Sequence, residues 1–248
     1  MKYDESDDFA RSDEQVTTAS VLVDADNAGL SGDLARPDAA AGMVLFAHGS
    51  GSSRRSPRNR AVAAGLNRAG LGTLLLDLLT DDEERADART AALRFDIGLL
   101  SRRLTAAIDW LDDSQPAGVP LGLFGASTGA AAALAAAAAR PGRVRAVVSR
   151  GGRPDLAGPA LGQARMPVLL IVGGRDTDVA GLNRAAASQL GGARQIRTIP
   201  GASHLFEEPG ALDQVTELAA SWFRQHLGPS GRRAFDAHRD DGTAGTAG

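Results

Sequence analysis

Residues 121–139, which read LGLFGASTGAAAALAAAAA, decide the fold class. The segment begins with a short apolar run typical of a buried strand and ends with an alanine-rich run typical of a buried helix. Between the two runs lies Gly125-Ala126-Ser127-Thr128-Gly129, a G-x-S-x-G motif. The serine of such a motif sits on a sharp turn from strand to helix that exposes its hydroxyl. We therefore predict Ser127 as a nucleophile; the alternative is a chance match in a region rich in Gly, Ala and Ser.

Short apolar runs alternate with amphipathic runs on both sides of this segment. The short runs are typical of buried strands, whereas apolar residues at spacings of three and four are typical of helices. The alternation predicts an α/β fold with a mostly parallel, doubly wound sheet and helices on both faces. The predicted strands are 20–23 and 32–35 as an opening hairpin, then 43–46, 73–78, 121–124, 144–149, 168–172 and 195–199; the predicted helices are 57–68, 89–111, 128–139, 179–190 and 212–225, and 80–88 is predicted as a polar loop.

The length and composition suit one folded domain with two tails. The chain has 248 residues, and 43% of them are hydrophobic, which is enough for a full core. We expect a flexible polar lead over 1–17, the α/β domain over 18–227 and a disordered tail over 228–248, which contains His238. Because the lead lacks a signal-peptide core and no apolar run reaches ~20 residues, we expect a cytoplasmic protein that does not bind membranes.

Composition also excludes several kinds of chemistry. The formal net charge of −3 argues against a nucleic-acid partner, which a basic patch would bind. The chain has no cysteine, so disulfides, thiolate catalysis and cysteine-ligated metals are excluded. Its single lysine is Lys2. This argues against a buried lysine that forms a Schiff base, and the chain has no Gly-Lys-Ser/Thr run of a phosphate-binding Walker loop. We expect neither a metal nor an organic cofactor.

The stretch FAHGSG, residues 46–51, follows the predicted strand 43–46. Its glycines allow backbone N–H groups to turn towards a substrate oxygen, as an oxyanion hole requires. We predict that the hole combines the N–H of Thr128 with the N–H of Ser50 or Gly49. The alternative is an ordinary glycine turn.

Three side chains near this loop are candidates for substrate contacts: His48, Arg58 and Arg150. Arginine binds carboxylates in a bidentate manner, so Arg58 and Arg150 predict a preference for anionic or polar acyl groups. For each arginine, a solvated surface position is the alternative. We expect His48 to shape the loop rather than transfer protons. A dinucleotide-binding loop is excluded because Arg54 stands where G-x-G-x-x-G needs its last glycine.

The candidate acid lies in GGRDTD, residues 173–178, after the predicted strand 168–172. An acid at this place can orient a histidine and stabilise its imidazolium form. We favour Asp176, which is closer to the strand end, and assign Asp178 to the N-cap of the helix predicted at 179–190. A solvated acidic turn is the alternative.

The candidate base is His204, in GASHLF after the last predicted strand. A lone histidine is more often structural than catalytic, but a position after the final strand favours a general base. His226 ends a predicted surface helix, so it is a weaker candidate. The chain order Ser127, Asp176, His204 is the order of nucleophile, acid and base in α/β-hydrolases.

The runs HGSG, GASTG, GGRDTDV and GASHLF together resemble the α/β-hydrolase superfamily, and within it the dienelactone-hydrolase-like proteins. The resemblance covers about residues 20–227 and again marks Asp176 as the acid. Dienelactone hydrolases proper use a cysteine nucleophile, whereas this chain has Ser127 at that position. The resemblance therefore implies hydrolysis of an ester or similar acyl bond rather than a particular lactone.

These observations predict a serine hydrolase that cleaves a small carboxylic ester or lactone through an acyl-enzyme. Transfer to another acceptor, amide cleavage, or a non-catalytic binding module on the same fold are the alternatives. The short link between the predicted strands 144–149 and 168–172 leaves no room for a large cap domain. We therefore expect an open pocket that suits short acyl groups.

Overall fold

An eight-stranded sheet forms the centre of the molecule in the computed structural model, which describes residues 15–116 and 118–229. The strands are β1 (Val16–Ala25), β2 (Ala28–Pro37), β3 (Met43–Ala47), β4 (Gly72–Leu76), β5 (Leu121–Ala126), β6 (Val144–Arg150), β7 (Val168–Gly173) and β8 (Arg194–Ile199). Their order in the sheet is β1-β2-β4-β3-β5-β6-β7-β8. Strands β3 to β8 are parallel, and the antiparallel β1–β2 hairpin joins the edge of β4. The predicted fold class is confirmed.

Helices cover both faces of the sheet, because the chain passes from β3 to β4 and then in the opposite direction to β5 and beyond, and right-handed crossovers in opposite directions lie on opposite faces. On one face α1 and α7 bury residues such as Val62, Leu66 and Phe223 against the sheet. On the other face α3 and α4 bury Leu104 and Leu134 among others. The helices are α1 (Pro57–Arg68), α2 (Asp81–Thr90), α3 (Ile97–Ser114), α4 (Thr128–Ala139), α5 (Ala160–Gln163), α6 (Thr177–Ala187) and α7 (Ala211–Leu227).

The opening hairpin is longer than the sequence pattern predicted. Asp26 and Asn27 connect its strands with φ of 53° and 60°, which is the two-residue turn that matches strand twist. Because β1 begins at Val16, residues 16 and 17 belong to the sheet and not to the predicted lead. Residues 1–14 of that lead, and the part of the predicted tail from residue 230 onward with His238, lie outside the described residues.

The prediction of a polar loop at 80–88 is wrong, because this segment forms helix α2. The hydroxyl of Thr80 accepts a hydrogen bond from the Glu83 N–H at 3.3 Å, and the Glu83 carboxylate accepts one from the Thr80 N–H at 2.8 Å. This reciprocal capping box stabilises a helix start without any apolar periodicity. The signal was present in the sequence as T-x-x-E.

The predicted helix 89–111 is also corrected, since it begins only at Ile97. Ala91 adopts a left-handed φ of 56° that ends α2, and residues Leu93–Phe95 form a 3₁₀ turn. The carboxylate of Asp96 then accepts a hydrogen bond from the Leu99 N–H at 2.9 Å, which caps α3.

No large cap domain interrupts the described residues between β6 and β7. The link over 151–167 contains only a 3₁₀ turn, Pro154–Ala157, and the single-turn helix α5. This link therefore adds no multi-helix cap over the carboxyl ends of the parallel strands.

Candidate active site

Ser127 lies on a strained turn between β5 and α4. Its φ of 50° and ψ of −123° are rare for a residue with a side chain. The turn is held from both sides, because the Ser127 N–H donates to the Arg150 carbonyl at 3.3 Å and the Ser127 carbonyl accepts from the Arg153 N–H at 3.0 Å. Such strain persists only where the surroundings enforce it, and it concentrates at functional sites.

Two glycines of the motif allow this turn to pack closely. A Cβ at Gly125 would lie 2.4 Å from the Ala130 Cα, and a Cβ at Gly129 would lie 2.2 Å from the Ala47 carbonyl oxygen. Neither position has space for any side chain. The glycines of G-x-S-x-G are thus required by the contact between β5, α4 and the end of β3.

His204 and Asp176 form a direct pair. The distance from His204 Nδ1 to Asp176 Oδ2 is 2.6 Å, and the side chains are 40% and 14% exposed. Asp176 follows β7 and His204 follows β8, so the pair joins two neighbouring strand ends. A carboxylate on Nδ1 leaves Nε2 available for a proton from another group.

The structure corrects the prediction for Asp178. Helix α6 begins at Thr177, so Asp178 lies inside its first turn and Asp176 occupies the N-cap position. The Asp176 side chain makes no capping hydrogen bond and instead faces His204. The preference for Asp176, which was based on its place closer to the strand end, agrees with this geometry, but the assignment of Asp178 to the N-cap is wrong.

Ser127 and His204 border the same glycine turn after β6. A Cβ at Gly151 would lie 3.1 Å from the His204 carbonyl oxygen and 3.5 Å from His204 Nδ1. The preceding residue, Arg150, accepts the Ser127 N–H. The three predicted triad residues are thus placed at the carboxyl ends of β5, β7 and β8, on one edge of the sheet.

The loop after β3 packs directly on the serine turn. A Cβ at Gly49 would lie 2.8 Å from the Ser127 Cβ. The Ser50 N–H donates to Thr128 Oγ1 at 3.0 Å, so in this structure a hydroxyl oxygen of the chain itself occupies that donor. The loop therefore packs against the serine turn, and the Ser50 N–H, one of the predicted oxyanion donors, is already bound to Thr128.

His48 connects the loop after β3 to the residues that follow β4. It is buried; its Nε2 accepts the Leu78 N–H at 3.2 Å, and its Nδ1 lies 3.0 Å from the Gly49 carbonyl oxygen. Burial lowers the pKa of His48, while the Gly49 carbonyl and the charge of Asp77 oppose that shift. These contacts match the expected loop-shaping part of His48 and leave no ring nitrogen free for a substrate.

Two acidic residues that bind backbone N–H groups of the loops after β3 and β8 were not among the predicted site residues. Asp77 follows β4 and accepts the Arg54 N–H at 2.6 Å, in addition to an ion pair with the Arg54 side chain. Glu208 accepts the Ser203 N–H at 3.0 Å next to His204. A carboxylate directly after a buried strand was the available signal for Asp77.

A cleft of about 540 Å³ opens beside the serine turn. Its walls come from the loop after β3, the start of α1, helix α2 and the start of α3. Ser50 and Thr128 line it next to the serine turn, and Leu79 and Leu100 supply apolar surface. A cleft of this size can hold a small organic substrate.

The two predicted substrate arginines occupy different environments. Arg58 lines the cleft and pairs with Glu207 at 2.9 Å. Arg150 is buried, and burial together with the charge of Arg58 lowers the pKa of Arg150 to about 10. The surface alternative is therefore wrong for Arg150.

Within 15–116 and 118–229, no three His, Cys, Asp or Glu side chains are grouped so that they could hold a metal ion. No helix in the same ranges has the length and hydropathy needed to cross a membrane.

Comparisons with known proteins agree with this fold. No protein-family model matches the chain. A crystal structure of a dienelactone hydrolase from Anabaena variabilis is 56% identical in sequence, with a TM-score of 0.82 over 85% of this chain and 98% of that chain. Est1E from Butyrivibrio proteoclasticus is 18% identical, with a TM-score of 0.68 over 84% of this chain and 98% of that chain, which shows the fold alone.

Two curated Mycobacterium tuberculosis proteins are 53% identical over 227 residues, which is 90% of this chain and 50% of each relative. The chain thus spans about half the length of the curated relatives it matches, and their names describe them provisionally as phosphoribosyl transferases. The dienelactone hydrolase, in contrast, is matched over nearly its whole length. The chain belongs to the dienelactone-hydrolase-like proteins of the α/β-hydrolase superfamily.

Proposed function

We propose that this protein is a serine hydrolase that cleaves a small carboxylic ester or lactone. One observation carries the proposal: Ser127 stands on a strained left-handed turn at one strand end, and the 2.6 Å pair of His204 and Asp176 stands at two others. A hydrolase family and hydrolase neighbours support the reaction type. The serine nucleophile, the triad and the ester substrate are our inference from the geometry.

The proposed reaction has two steps of acyl transfer. His204 Nε2 removes the proton of Ser127 Oγ, which attacks the carbonyl carbon, and the alcohol leaves with that proton. Water then attacks the acyl-enzyme with His204 again as base, and the acid and free Ser127 are released. Asp176 keeps the proton of His204 on Nδ1 and stabilises the imidazolium that forms in each step.

The proposed oxyanion hole uses the N–H of Thr128 together with that of Ser50 or Gly49. The Thr128 hydroxyl now lies 3.0 Å from the Ser50 nitrogen, so an oxygen at this place has hydrogen-bonding geometry. In the proposed reaction a substrate oxygen takes that position as the hydroxyl rotates away. Donors of this kind contribute about 3–4 kcal/mol each to the transition state.

The test is covalent labelling of the full chain. A fluorophosphonate should add to Ser127 with loss of fluoride, and intact-mass analysis should show one adduct. Ser127→Ala should show neither the adduct nor p-nitrophenyl ester turnover, while its circular dichroism and melting behaviour stay the same. Ser188→Ala, at an exposed serine after α6, is the matched control and should label fully. Turnover retained by folded Ser127→Ala would refute the proposal.

The mycobacterial relatives do not change this assignment. The shared stretch is 50% of each relative, so the description as phosphoribosyl transferases applies to proteins with a further part of similar size. We assign acyl chemistry to the shared stretch only.

A further inference from the structure

We propose that Glu208 is a positioning residue of the candidate active site, which holds the turn that carries His204 against the loop that carries Asp176. This inference rests on the proposed function, because it assigns to Glu208 the alignment of the base and the acid of the proposed triad. We call residues 174–176, between β7 and α6, the acid loop and residues 200–210, between β8 and α7, the histidine loop. The two carboxylate oxygens of Glu208 bind one loop each.

The histidine loop is strained and partly exposed where it carries His204. Phe206 adopts a left-handed φ of 56°, which is rare for a residue with a bulky side chain. The Phe206 N–H donates to the Ser203 carbonyl at 3.3 Å, which closes a turn around His204. The Phe206 ring is buried, whereas the His204 side chain is 40% exposed, so packing fixes the end of the turn more firmly than its centre. Strain of this kind persists only where other contacts enforce it.

Glu208 supplies a contact at the start of this turn. Its Oε2 accepts a hydrogen bond from the Ser203 N–H at 3.0 Å, directly before His204. The Glu208 carbonyl accepts the Ala211 N–H at 3.0 Å, so Glu208 is itself fixed to the first turn of α7. Hydrogen bonds to an ionised carboxylate are shorter and stronger than neutral ones. The bond from the Ser203 N–H is the main cause that lowers the pKa of Glu208 to about 2, so the side chain is a carboxylate at neutral pH.

The other carboxylate oxygen of Glu208 binds the acid loop. Glu208 Oε1 pairs with Nη2 of Arg175, the residue before Asp176. The Arg175 N–H donates to the Ala202 carbonyl at 2.9 Å, so both the main chain and the side chain of Arg175 bind the histidine loop. The Arg175 side chain is 62% exposed, and an exposed ion pair contributes little to stability. We therefore assign to this pair the orientation of the Glu208 carboxylate.

The histidine loop also lies in close contact with the end of β7, just before the acid loop. A Cβ at Gly173 would lie 2.5 Å from the Ala202 carbonyl oxygen and 2.6 Å from the Ser203 carbonyl oxygen. His204 follows directly, and its Nδ1 lies 2.6 Å from Asp176 Oδ2. A hydrogen bond is lost when its two heavy atoms separate beyond about 3.5 Å, so a shift of about 1 Å breaks this pair. In enzymes a misplacement of that size can cost about 10²-fold in rate.

The neighbouring residue, Glu207, offers a matched control. Its carboxylate also pairs with an arginine, Arg58 at the start of α1, at 2.9 Å. The two adjacent glutamates therefore differ in what they bind. Glu207 binds an arginine of α1, whereas Glu208 binds the N–H before His204 and the arginine before Asp176.

The first experiment measures kcat and KM of the full chain with p-nitrophenyl butyrate, a neutral ester. Glu208→Ala removes both contacts and should lower kcat about tenfold or more. KM should change less than about threefold, because the residues that line the cleft stay the same. Glu208→Gln keeps an oxygen that can accept the Ser203 N–H, so its kcat should exceed that of Glu208→Ala by about threefold or more. Glu207→Gln should keep the kcat of the unchanged chain. A smaller loss in Glu208→Ala, or no recovery in Glu208→Gln, overturns the proposal.

The second experiment tests whether Arg175 acts through the Glu208 carboxylate. Arg175→Gln should lower kcat about threefold in the unchanged chain and should have no further effect in Glu208→Ala, where no carboxylate is left to orient. Arg184→Gln, at an exposed arginine of α6, is the control and should have no effect in either chain. A loss of the same size in both chains, or a loss in neither, overturns the link to the acid loop.

A third measurement needs no hydrolysis, so it distinguishes failure of the positioning role from failure of the proposed function. In the Ser127→Ala chain, the nitrogen NMR shifts of the imidazole report which ring nitrogen of neutral His204 carries the proton, and His204→Gln assigns the signals. Contact with Asp176 favours the proton on Nδ1. Adding Glu208→Ala should shift the proton towards Nε2, because the contact with Asp176 loosens, whereas adding Glu207→Gln should not.

The outcomes separate the two claims. A tautomer shift in the Glu208→Ala chain, with no ester turnover by the unchanged chain, would retain the positioning role and reject the hydrolase. An unchanged tautomer in the Glu208→Ala chain would reject the positioning role, whatever its kcat, and would leave the hydrolase standing if the unchanged chain turns over esters. If Glu208→Ala does not fold, Glu208→Asp, which keeps the charge on a side chain one methylene shorter, takes its place in all three measurements.

Discussion

Two histidines that follow strands of the same sheet have opposite environments. His204 is 40% exposed and holds Asp176 at 2.6 Å through Nδ1. His48 is 9% exposed on its side chain and lies 3.9 Å from Asp77. Both are paired with an aspartate, yet backbone groups contact both ring nitrogens of His48, whereas for His204 the pair leaves Nε2 open.

The difference shows that a histidine–aspartate pair is not by itself a catalytic pair. Burial lowers the pKa of His48, and a neutral ring is what lets Nε2 accept the Leu78 N–H. His48 is thus a fixed link between the loop after β3 and β4. Solvent access and a free nitrogen make His204 the proton carrier of the proposed reaction.

The largest expected effect separates the two histidines by activity. His204→Gln should lower kcat by about 10⁴-fold or more, since removing the general base of a triad costs as much as removing the nucleophile. His48→Gln should lower it far less, because its ring moves no proton. Ester hydrolysis by the purified, folded variants measures both. Equal losses would mean that His48 takes part in the chemistry.

The next comparison concerns the two aspartates after β7. Asp176→Asn should lower kcat about 10³-fold, somewhat less than the ~10⁴-fold known for the orienting acid of a serine-protease triad. Asp178→Asn is the matched control, one helical position beyond Thr177, and we expect a change of less than about threefold. The opposite ranking would assign the acid to Asp178 and contradict the observed pair.

A smaller effect distinguishes the histidines by stability and pH. Because the pKa of His48 is lowered by folding, the unfolded chain binds a proton near pH 6.5 that the folded chain does not. The free energy of unfolding should therefore fall as pH is lowered from about 6.5 through the folded pKa. Burial also lowers the pKa of His226. The chain with His48 and the variant without it are therefore compared in a His226→Gln background.

In that background His48→Leu should flatten this pH dependence. It should also cost about 1–3 kcal/mol at neutral pH, because the buried Leu78 N–H loses its acceptor. Urea unfolding from pH 5 to 8 measures both quantities. A slope that is the same with and without His48 would contradict the neutral, buried ring.

Local patterns predicted the strand ends well, and the reason is physical. A buried parallel strand is a short apolar run, and the residue after it must turn, so GASTG and GASHLF mark their places without knowledge of the rest. Helix α2 was missed because its stability comes from the Thr80–Glu83 capping box and not from an apolar stripe. The start of α6 was misplaced because Asp178 resembles a cap as much as Asp176 does.

The burial of Arg150 could not be predicted from its neighbours in sequence. An arginine that ends a strand is usually solvated, and its exposure depends on which helix covers that face of the sheet. Here helix α7, which packs on β6, begins 61 positions later in the chain. Long-range packing of this kind decides whether a charged residue at a strand end is exposed or buried.

The smallest expected effect concerns the length of the acyl group. It tests whether the cleft beside the serine turn lacks both a lid and a long apolar wall. The link over 151–167 forms only a 3₁₀ turn and α5, so no lid of the described chain covers the strand ends. Helix α2 borders the cleft, but it presents the carboxylates Glu84 and Asp87 there.

A long acyl chain gains ~0.8 kcal/mol per methylene only where an apolar wall removes it from water. Leu79 and Leu100 are the leucines that line the cleft, so the gain should end after a few carbons. In a p-nitrophenyl series from acetate to palmitate, kcat/KM should peak at or below about six carbons, since further methylenes lie in water. It should then change by only a few fold. A steady rise to palmitate would reveal an acyl-binding wall that the polar cleft does not provide.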